Sequence, residues 1–214
     1  MKLNLTRNNT AYIYSLIIAI LNLIWFNAAT AANATEAAEL VKTTTDRMLE
    51  ALQQQRNAIN SNPDLIYDIA NRIAVPHFDF ERITQTAMGK FWKQTDTDER
   101  SQLIKEFQAL LIRTYAKALL NYSGQEIRLL PPRPSKRSDQ VQINTTIDMQ
   151  DSNPIPINYL LYLKNDAWKA YDVVINGISL VANYRNSFAQ EIRRGGTAGL
   201  IEALRKRNQT TTAQ

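Results

Sequence analysis

The stretch "YDVVINGISLVANYRNSFAQEIRRGG", Tyr171 to Gly196, changes period in its middle. Tyr171 to Ile175 is β-branched and strand-like, whereas after Asn176-Gly177 the apolar residues fall at helical spacing. Asp172, Tyr184 and Arg185 interrupt these apolar surroundings, so the stretch reads either as a catalytic set or as a brace between a strand and a helix. Gly195-Gly196 follows a helix rather than a strand, which makes it a C-cap and not a phosphate loop.

Upstream, the period is two. "EIRLLP" reads as a strand and "PPRPSKRS" as a turn or loop. "QVQINTTIDM" alternates, with Val141, Ile143, Thr145, Ile147 and Met149 on one face. "INYLLYLKN" puts Ile157, Tyr159, Leu161 and Leu163 on one face, Asn165-Asp166 is a hairpin turn, and "AWKAYDVVI" is the last strand. Such short connections make the sheet antiparallel, with one face toward helices.

Helices flank these strands. Glu36 to Ile59 carries a 3.6 period, and Asn62-Pro63 signals the start of a second helix that stops before Pro76. Phe78 to Met88 is a third, closed by Gly89. The fourth is capped within Thr95, Asp96 and Thr97 and ends at Ser123-Gly124. Its stripe, Leu103, Phe107, Leu110, Leu111, Thr114, Ala118 and Tyr122, is broad enough to make contact on more than one side. Ser179 to Arg194 and Thr197 to Arg207 close the chain. The expected class is α+β: a curved antiparallel sheet of about four strands covered by helices, with an N-terminal helical subdomain. Helices across the concave face would enclose a pocket.

The chain has 214 residues, which suits one domain. Met1 to Thr10 carries Lys2 and Arg7 and no acid, Ala11 to Phe26 is apolar apart from Ser15 and Asn22, and small-x-small sites end at Ala31 and Ala34. This is the layout of a secretory signal peptide over residues 1–31, cleaved after Ala31 or Ala34. The apolar run spans roughly 24 Å at ~1.5 Å per residue, short of a ~30 Å bilayer core and so unlike a membrane anchor. Residues 35–207 are expected to form the domain and 208–214 a disordered tail. There is no Cys, so an exported chain must hold itself by its core without disulfides, which suits the periplasm. Removing the signal takes the net charge from +5 to +3, too mild to imply nucleic acid.

Catalytic and metal chemistry find little support. His77 is the sole histidine, between Pro76 and Phe78 at a helix start, where a capping or packing role suits it better than that of a general base. One histidine, no thiol and no calcium-type loop leave no metal site, and no cofactor motif is present. Asp172 remains the best acid: a general base on a pocket wall, or a structural partner of Arg185 or a backbone amide. The pairs Lys136-Arg137 and Arg193-Arg194, and Arg205-Lys206-Arg207, suit anionic headgroups or, for the last two, the helix dipole.

Two segments resemble a known family. "VPHFDFERITQTAMGKFWKQTDTDERSQLIKEFQALLIRTYAKALLNYSGQEI" (Val75 to Ile127) and "WKAYDVVINGISLVANYRNSFAQEIRRGGTAGLIEAL" (Trp168 to Leu204) are similar to the MlaC, or toluene-tolerance, family of periplasmic phospholipid-binding shuttles. The pattern includes Pro76 with Phe78-Asp79-Phe80, Gly89 with Trp92, Tyr171-Asp172-Val173, Gly177, Tyr184-Arg185 and Gly196. The resemblance implies a nuclear-transport-factor-2-like fold without catalysis or cofactor. It also implies a glycerophospholipid ligand passed between an outer-membrane lipoprotein–porin complex and an inner-membrane ABC transporter complex with its substrate-binding subunit, so that outer-membrane asymmetry is kept. Assigned by face, the lining on the sheet would be Ile127, Leu129, Val141, Ile143, Ile147, Tyr159, Leu161, Leu163 and Val173. The helices would add Phe91, Phe107, Leu111, Tyr115, Val181, Tyr184 and Phe188, with Asp172 and Arg185 as brace. A periplasmic enzyme using Asp172 as base and a ligand-free adaptor are the alternatives.

Overall fold

The computed structural model describes residues 34–211 apart from 121, 123, 132, 135–136, 138 and 150–152; the expected signal segment, residues 1–31, and the cleavage site after Ala31 lie outside these residues, whereas the alternative site after Ala34 falls at the first of them. Residues 34–54 form α1, followed by α2 (Arg56–Ser61) and α3 (Leu65–Ile73). A 3-10 turn, Val75–His77, leads into α4 (Phe80–Met88), and a second, Gly89–Gln94, into α5 (Thr97–Leu120). The strands are β1 (Ile127–Leu129), β2 (Arg133–Pro134), β3 (Gln140–Ile147), β4 (Ile155–Lys164), β5 (Ala167–Ile175) and β6 (Ile178–Ser179), and α6 (Leu180–Thr211) completes the fold.

Several boundaries differ from the sequence expectation for local reasons. The helix expected from Glu36 to Ile59 is divided at Gln55, where φ is −102° and ψ 14°. Asn62-Pro63 forms the entry turn rather than the first helical turn: Asn62 Oδ1 accepts from the Asp64 amide at 3.3 Å, and the helix starts at Leu65. α4 starts at Phe80 because Asp79 is its cap, accepting from the Arg82 amide at 3.1 Å. At the head of α5, Asp96 Oδ1 accepts from the Glu99 amide at 2.8 Å, and Glu99 Oε2 accepts from the Asp96 amide at 3.2 Å, a reciprocal capping box. α6 is two helices joined at Gly196, whose φ of 66° and ψ of −167° suit glycine alone. It also runs past the expected end at Arg207. Asn208 is buried and donates to the Glu106 carbonyl at 3.0 Å, so the start of the expected tail is helix up to Thr211.

The sheet order is β1-β3-β4-β5-β6, with β2 also paired to β3, and every pairing is antiparallel. β2 and β6, two residues each, add to the strands expected. Asn165 and Asp166, with φ of 49° and 59°, make the β4–β5 turn, a pair of left-handed residues that matches the strand twist. Asn176 and Gly177 repeat this with φ of 49° and 81°, so the Asn-Gly pair first adds β6 and only then releases the chain into α6. One register row crosses five strands: Leu129, Thr145, Ile157, Ile175 and Ile178. Between β4 and β5 the register shifts. Leu160 faces Asp172 and Leu161 faces Ala170, leaving Tyr171 as the extra residue of a bulge.

Three apolar clusters hold the elements. α4, the second 3-10 turn, α5 and α6 pack through Ile83, Met88, Trp92, Leu103, Phe107, Phe188 and Leu200. The later part of α1 joins α2, α3 and α5 through Met48, Leu52, Ile59, Ile66, Ile69 and Ala116. The start of α1 lies on the sheet, with Ala37, Ala38 and Val41 against Val141, Ile143, Leu161, Trp168 and Ala170. Among the described residues the first and third clusters share only Phe78.

Polar contacts supply the rest of that joint. The Asp79 amide donates to the Ala170 carbonyl at 2.9 Å. Its carboxylate, nearly fully buried, accepts from Lys164 Nζ at 2.8 Å and from the Tyr162 hydroxyl. Burial opposes its ionisation, yet Lys164, Tyr162 and the Arg82 amide together hold the carboxyl below the usual range.

Candidate ligand-binding surface

The apolar face of the sheet is covered unevenly. Val141, Ile143, Leu161, Trp168 and Ala170 are buried beneath α1, with Tyr159 and Leu163 at their margin. The other half consists of Ile127, Ile147, Ile155, Ile157, Val173 and Ile175, all half-buried, and none belongs to any of the three clusters. At the two ends of its central row, Leu129 is 39% and Ile178 61% exposed. Alternation predicts which residues share this face. Which of them α1 covers depends on docking contacts that alternation does not encode.

The sheet residues assigned to the lining therefore divide. Val141, Ile143 and Leu161 are core, Tyr159 and Leu163 border it, and Ile127, Leu129, Ile147 and Val173 lie on the open half. Burial raises the Tyr159 hydroxyl pKa, while Thr145 hydrogen-bonds it. From the helices, Phe107, Val181 and Phe188 sit inside the helical core, with Phe107 edge-on to Phe188 at 4.8 Å and to Tyr184 at 4.9 Å. Phe91, Leu111 and Tyr184 pack at its margin. Tyr115 is half-buried, and burial followed by the neighbouring Tyr184 raises its pKa; burial likewise raises that of Tyr184.

A second surface was not expected. An open cavity of about 850 Å³ lies between α1, α2 and the end of α5, within the ~300–1,000 Å³ range of ligand pockets. Leu49, Leu52, Ile59, Leu119, Leu120 and Tyr122 provide its apolar lining among the described residues, with Asp46, Glu50 and Arg56 nearby. None of the residues assigned by face lines it. In the sequence its leucines look like ordinary helical stripe, and only the 36% exposure of Leu120 sets one apart. α1 borders both surfaces, and the chain from Tyr122 and Gly124 continues into β1 on the open half of the sheet.

Asp172 and Arg185 go to different partners. Asp172 Oδ1 accepts from the amides of Val173 at 2.8 Å and Val181 at 3.2 Å, and Oδ2 from the Ser179 hydroxyl at 2.5 Å. The carboxylate thus ties β5 to the start of α6. Arg185 donates Nε and Nη2 to the Thr86 carbonyl at 3.2 and 3.0 Å, tying α6 to α4. The guanidinium thus sits at the C-terminal end of α4, where a cation complements the helix dipole. His77 ends the 3-10 turn, and burial, then Lys169 and Arg47, lower its pKa. No group of three or more His, Cys, Asp or Glu among the described residues is placed to hold a metal ion. Within the same residues no helix is long and apolar enough to cross a membrane.

Comparison with known proteins identifies relatives of this arrangement. The family model described as MlaC protein matches residues 42–206. Toluene tolerance protein ttg2D of Pseudomonas putida is 30% identical over 161 residues, covering 74% of each chain. The intermembrane phospholipid transport system binding protein MlaC of Haemophilus influenzae is 25% identical over 174 residues, covering 78% of this chain and 79% of that protein. A solved structure of a phospholipid-binding protein from Ralstonia solanacearum, in complex with a phospholipid, superposes with a TM-score of 0.76 at 33% identity, covering 82% of this chain and 98% of that one.

Proposed function

The chain belongs to the MlaC family, and from that premise we propose that it is a periplasmic carrier of glycerophospholipid. It binds the lipid by its acyl chains and moves it between an outer-membrane lipoprotein–porin complex and an inner-membrane ABC transporter complex with its substrate-binding subunit. Outer-membrane lipid asymmetry is the consequence. The observation that carries this reading is the open half of the sheet face, an apolar surface left outside every core cluster of the described fold. The phospholipid bound to the Ralstonia solanacearum relative supports the same ligand class.

The physics suits a shuttle. At about 0.8 kcal/mol per exposed methylene, two chains of roughly 15 carbons would cost more than ~20 kcal/mol to cross water bare. An apolar wall replaces bilayer hydrocarbon with protein hydrocarbon, so the transfer is nearly balanced and neither end traps the lipid. Leaving the headgroup in water avoids desolvating a phosphate. In this reading the acyl chains lie along Ile127, Ile147, Ile157 and Val173, and the α1–α2–α5 cavity extends the apolar surface.

Catalysis by Asp172 is disfavoured by its three hydrogen bonds, which commit both carboxylate oxygens to the β5–α6 joint. Organic extraction of protein purified from its native compartment, followed by mass spectrometry, tests the proposal. About one diacyl phospholipid per chain is expected; protein that is folded yet lipid-free under these conditions overturns the carrier reading in favour of a ligand-free adaptor.

A further inference from the structure

On the face of the sheet opposite Leu161 and Ala170, a second cluster is not explained by lipid binding. Tyr162 and Lys169 face each other across β4 and β5, and the bulge adds Tyr171 beside them. The two tyrosine rings meet edge-on at 5.8 Å. Arg82, on α4, lays its guanidinium over both, 3.8 Å from the Tyr162 centroid and 4.3 Å from that of Tyr171. Arg82, Tyr162, Lys169 and Tyr171 are all half-buried, so the cluster is neither core nor a fully solvated charge.

Arg82 has no carboxylate within ion-pair distance among the described residues. Asp139, whose ionisation the Arg82 charge also favours, is held by Arg137 through two hydrogen bonds of 3.0 Å, and Asp79 by Lys164 and Tyr162, while Arg82 itself hydrogen-bonds the Tyr162 hydroxyl. Lys169 donates to the Pro76 carbonyl at 2.6 Å and likewise has no acid. The two ring contacts hold the Arg82 guanidinium in place in advance, which reduces what an incoming carboxylate must order. Tyrosine and arginine are also the residue types that dominate protein interface hot spots. A bulge spent on re-aiming Tyr171 is a further sign that the cluster is built rather than incidental.

We propose that Arg82, Tyr162 and Tyr171, flanked by Lys169, form a docking site for an acidic surface of a protein partner, with a partner carboxylate on the Arg82 guanidinium. A bilayer is the less fitting occupant. Anionic membranes attract uninterrupted basic runs, whereas here one guanidinium is held on two rings, which suits a single carboxylate at a fixed position rather than a diffuse surface charge. The site faces away from the open apolar half, so docking leaves the lipid surface clear. This inference rests on the carrier reading for the identity of its partners.

The test measures binding of lipid-loaded protein to the purified outer-membrane complex, to the purified inner-membrane complex and to vesicles of phosphatidylethanolamine and phosphatidylglycerol. Arg82→Ala is expected to weaken binding to at least one complex about thirty-fold, as a hot-spot truncation does. Arg82→Lys, lacking the planar fork, should not restore it, and lipid content should be unchanged in both variants. If Arg82→Ala lowers the melting temperature, Lys169→Glu on the flank carries the same test. Undiminished binding to both complexes overturns the docking site, as does loss of vesicle binding alone. Wild-type protein that holds lipid but binds neither complex overturns it while leaving lipid binding intact. A lipid-free wild type instead overturns the carrier reading.

Discussion

Replacing Asp79 with alanine should lower stability at neutral pH by about 2–3 kcal/mol. The carboxylate caps α4 through the Arg82 amide, and a lost cap costs ~1 kcal/mol. It also accepts from the Tyr162 hydroxyl, and losing that acceptor costs about 1 kcal/mol more. Lys164 adds less, because its side chain is 41% exposed and rehydrates when its partner goes. For a domain of this size about 2–4 °C accompanies each kcal/mol, so the melting temperature should fall by roughly 5–10 °C. Asp79→Asn keeps an acceptor for the amide and should lose about half as much. The folded-state pKa is depressed, so the stabilisation is fully present above the ordinary carboxylate value near ~3.9 and is lost as pH falls through the lower folded value. The gap between wild type and Asp79→Ala should therefore narrow below about pH 4. Circular dichroism melts across this range measure it. An alanine variant melting with the wild type at pH 7, or a gap that widens on acidification, refutes the assignment of Asp79 as the polar joint between helices and sheet.

Val173→Trp, on the open half of the sheet, and Leu49→Trp, in the α1–α2–α5 cavity, should reduce co-purified phospholipid with melting temperatures close to wild type. Lipid content by mass spectrometry separates the two surfaces, and unchanged loading in either variant removes that surface from the site. Asp172→Asn should destabilise by about 1–2 kcal/mol through the β5–α6 joint while leaving lipid bound, as denaturant titration and extraction would show. Gly196→Ala should cost about 1–3 kcal/mol even though its Cβ would meet nothing within 4 Å, because the backbone itself is in a glycine-only region; equal unfolding midpoints would contradict this.

Much of the fold was legible because its signals are local. Asn165-Asp166 and Asn176-Gly177 mark turns whose left-handed backbones the structure contains, and Gly89 and Gly195-Gly196 mark helix ends. β2 and β6 were not legible, since two residues carry no period. The break at Gln55 has neither glycine nor proline to announce it. Asp79 as the cap of α4 was not read, since the helix was expected to begin at Phe78, and its pairing with Lys164, 85 positions away, arises only once β4 lies beside α4. The apolar face of the sheet was readable from alternation. Its division into a covered and an open half was not, because the position of Ala37, Ala38 and Val41 above it is a tertiary choice. Asp172 was expected to pair with Arg185, but its partners are the Ser179 hydroxyl and the amides of Val173 and Val181, groups whose approach the sequence does not encode.

With Phe78 alone, among the described residues, common to the helical and sheet cores, the two need not unfold together. They form candidate cooperative units with separate opening free energies, so amide exchange in β3–β5 should have a different denaturant dependence from exchange in α5 and α6. A ligand touching both units would merge them. Hydrogen exchange on loaded and emptied protein would then report how far the cargo acts as a missing piece of the core, with protection rising in elements that never contact it.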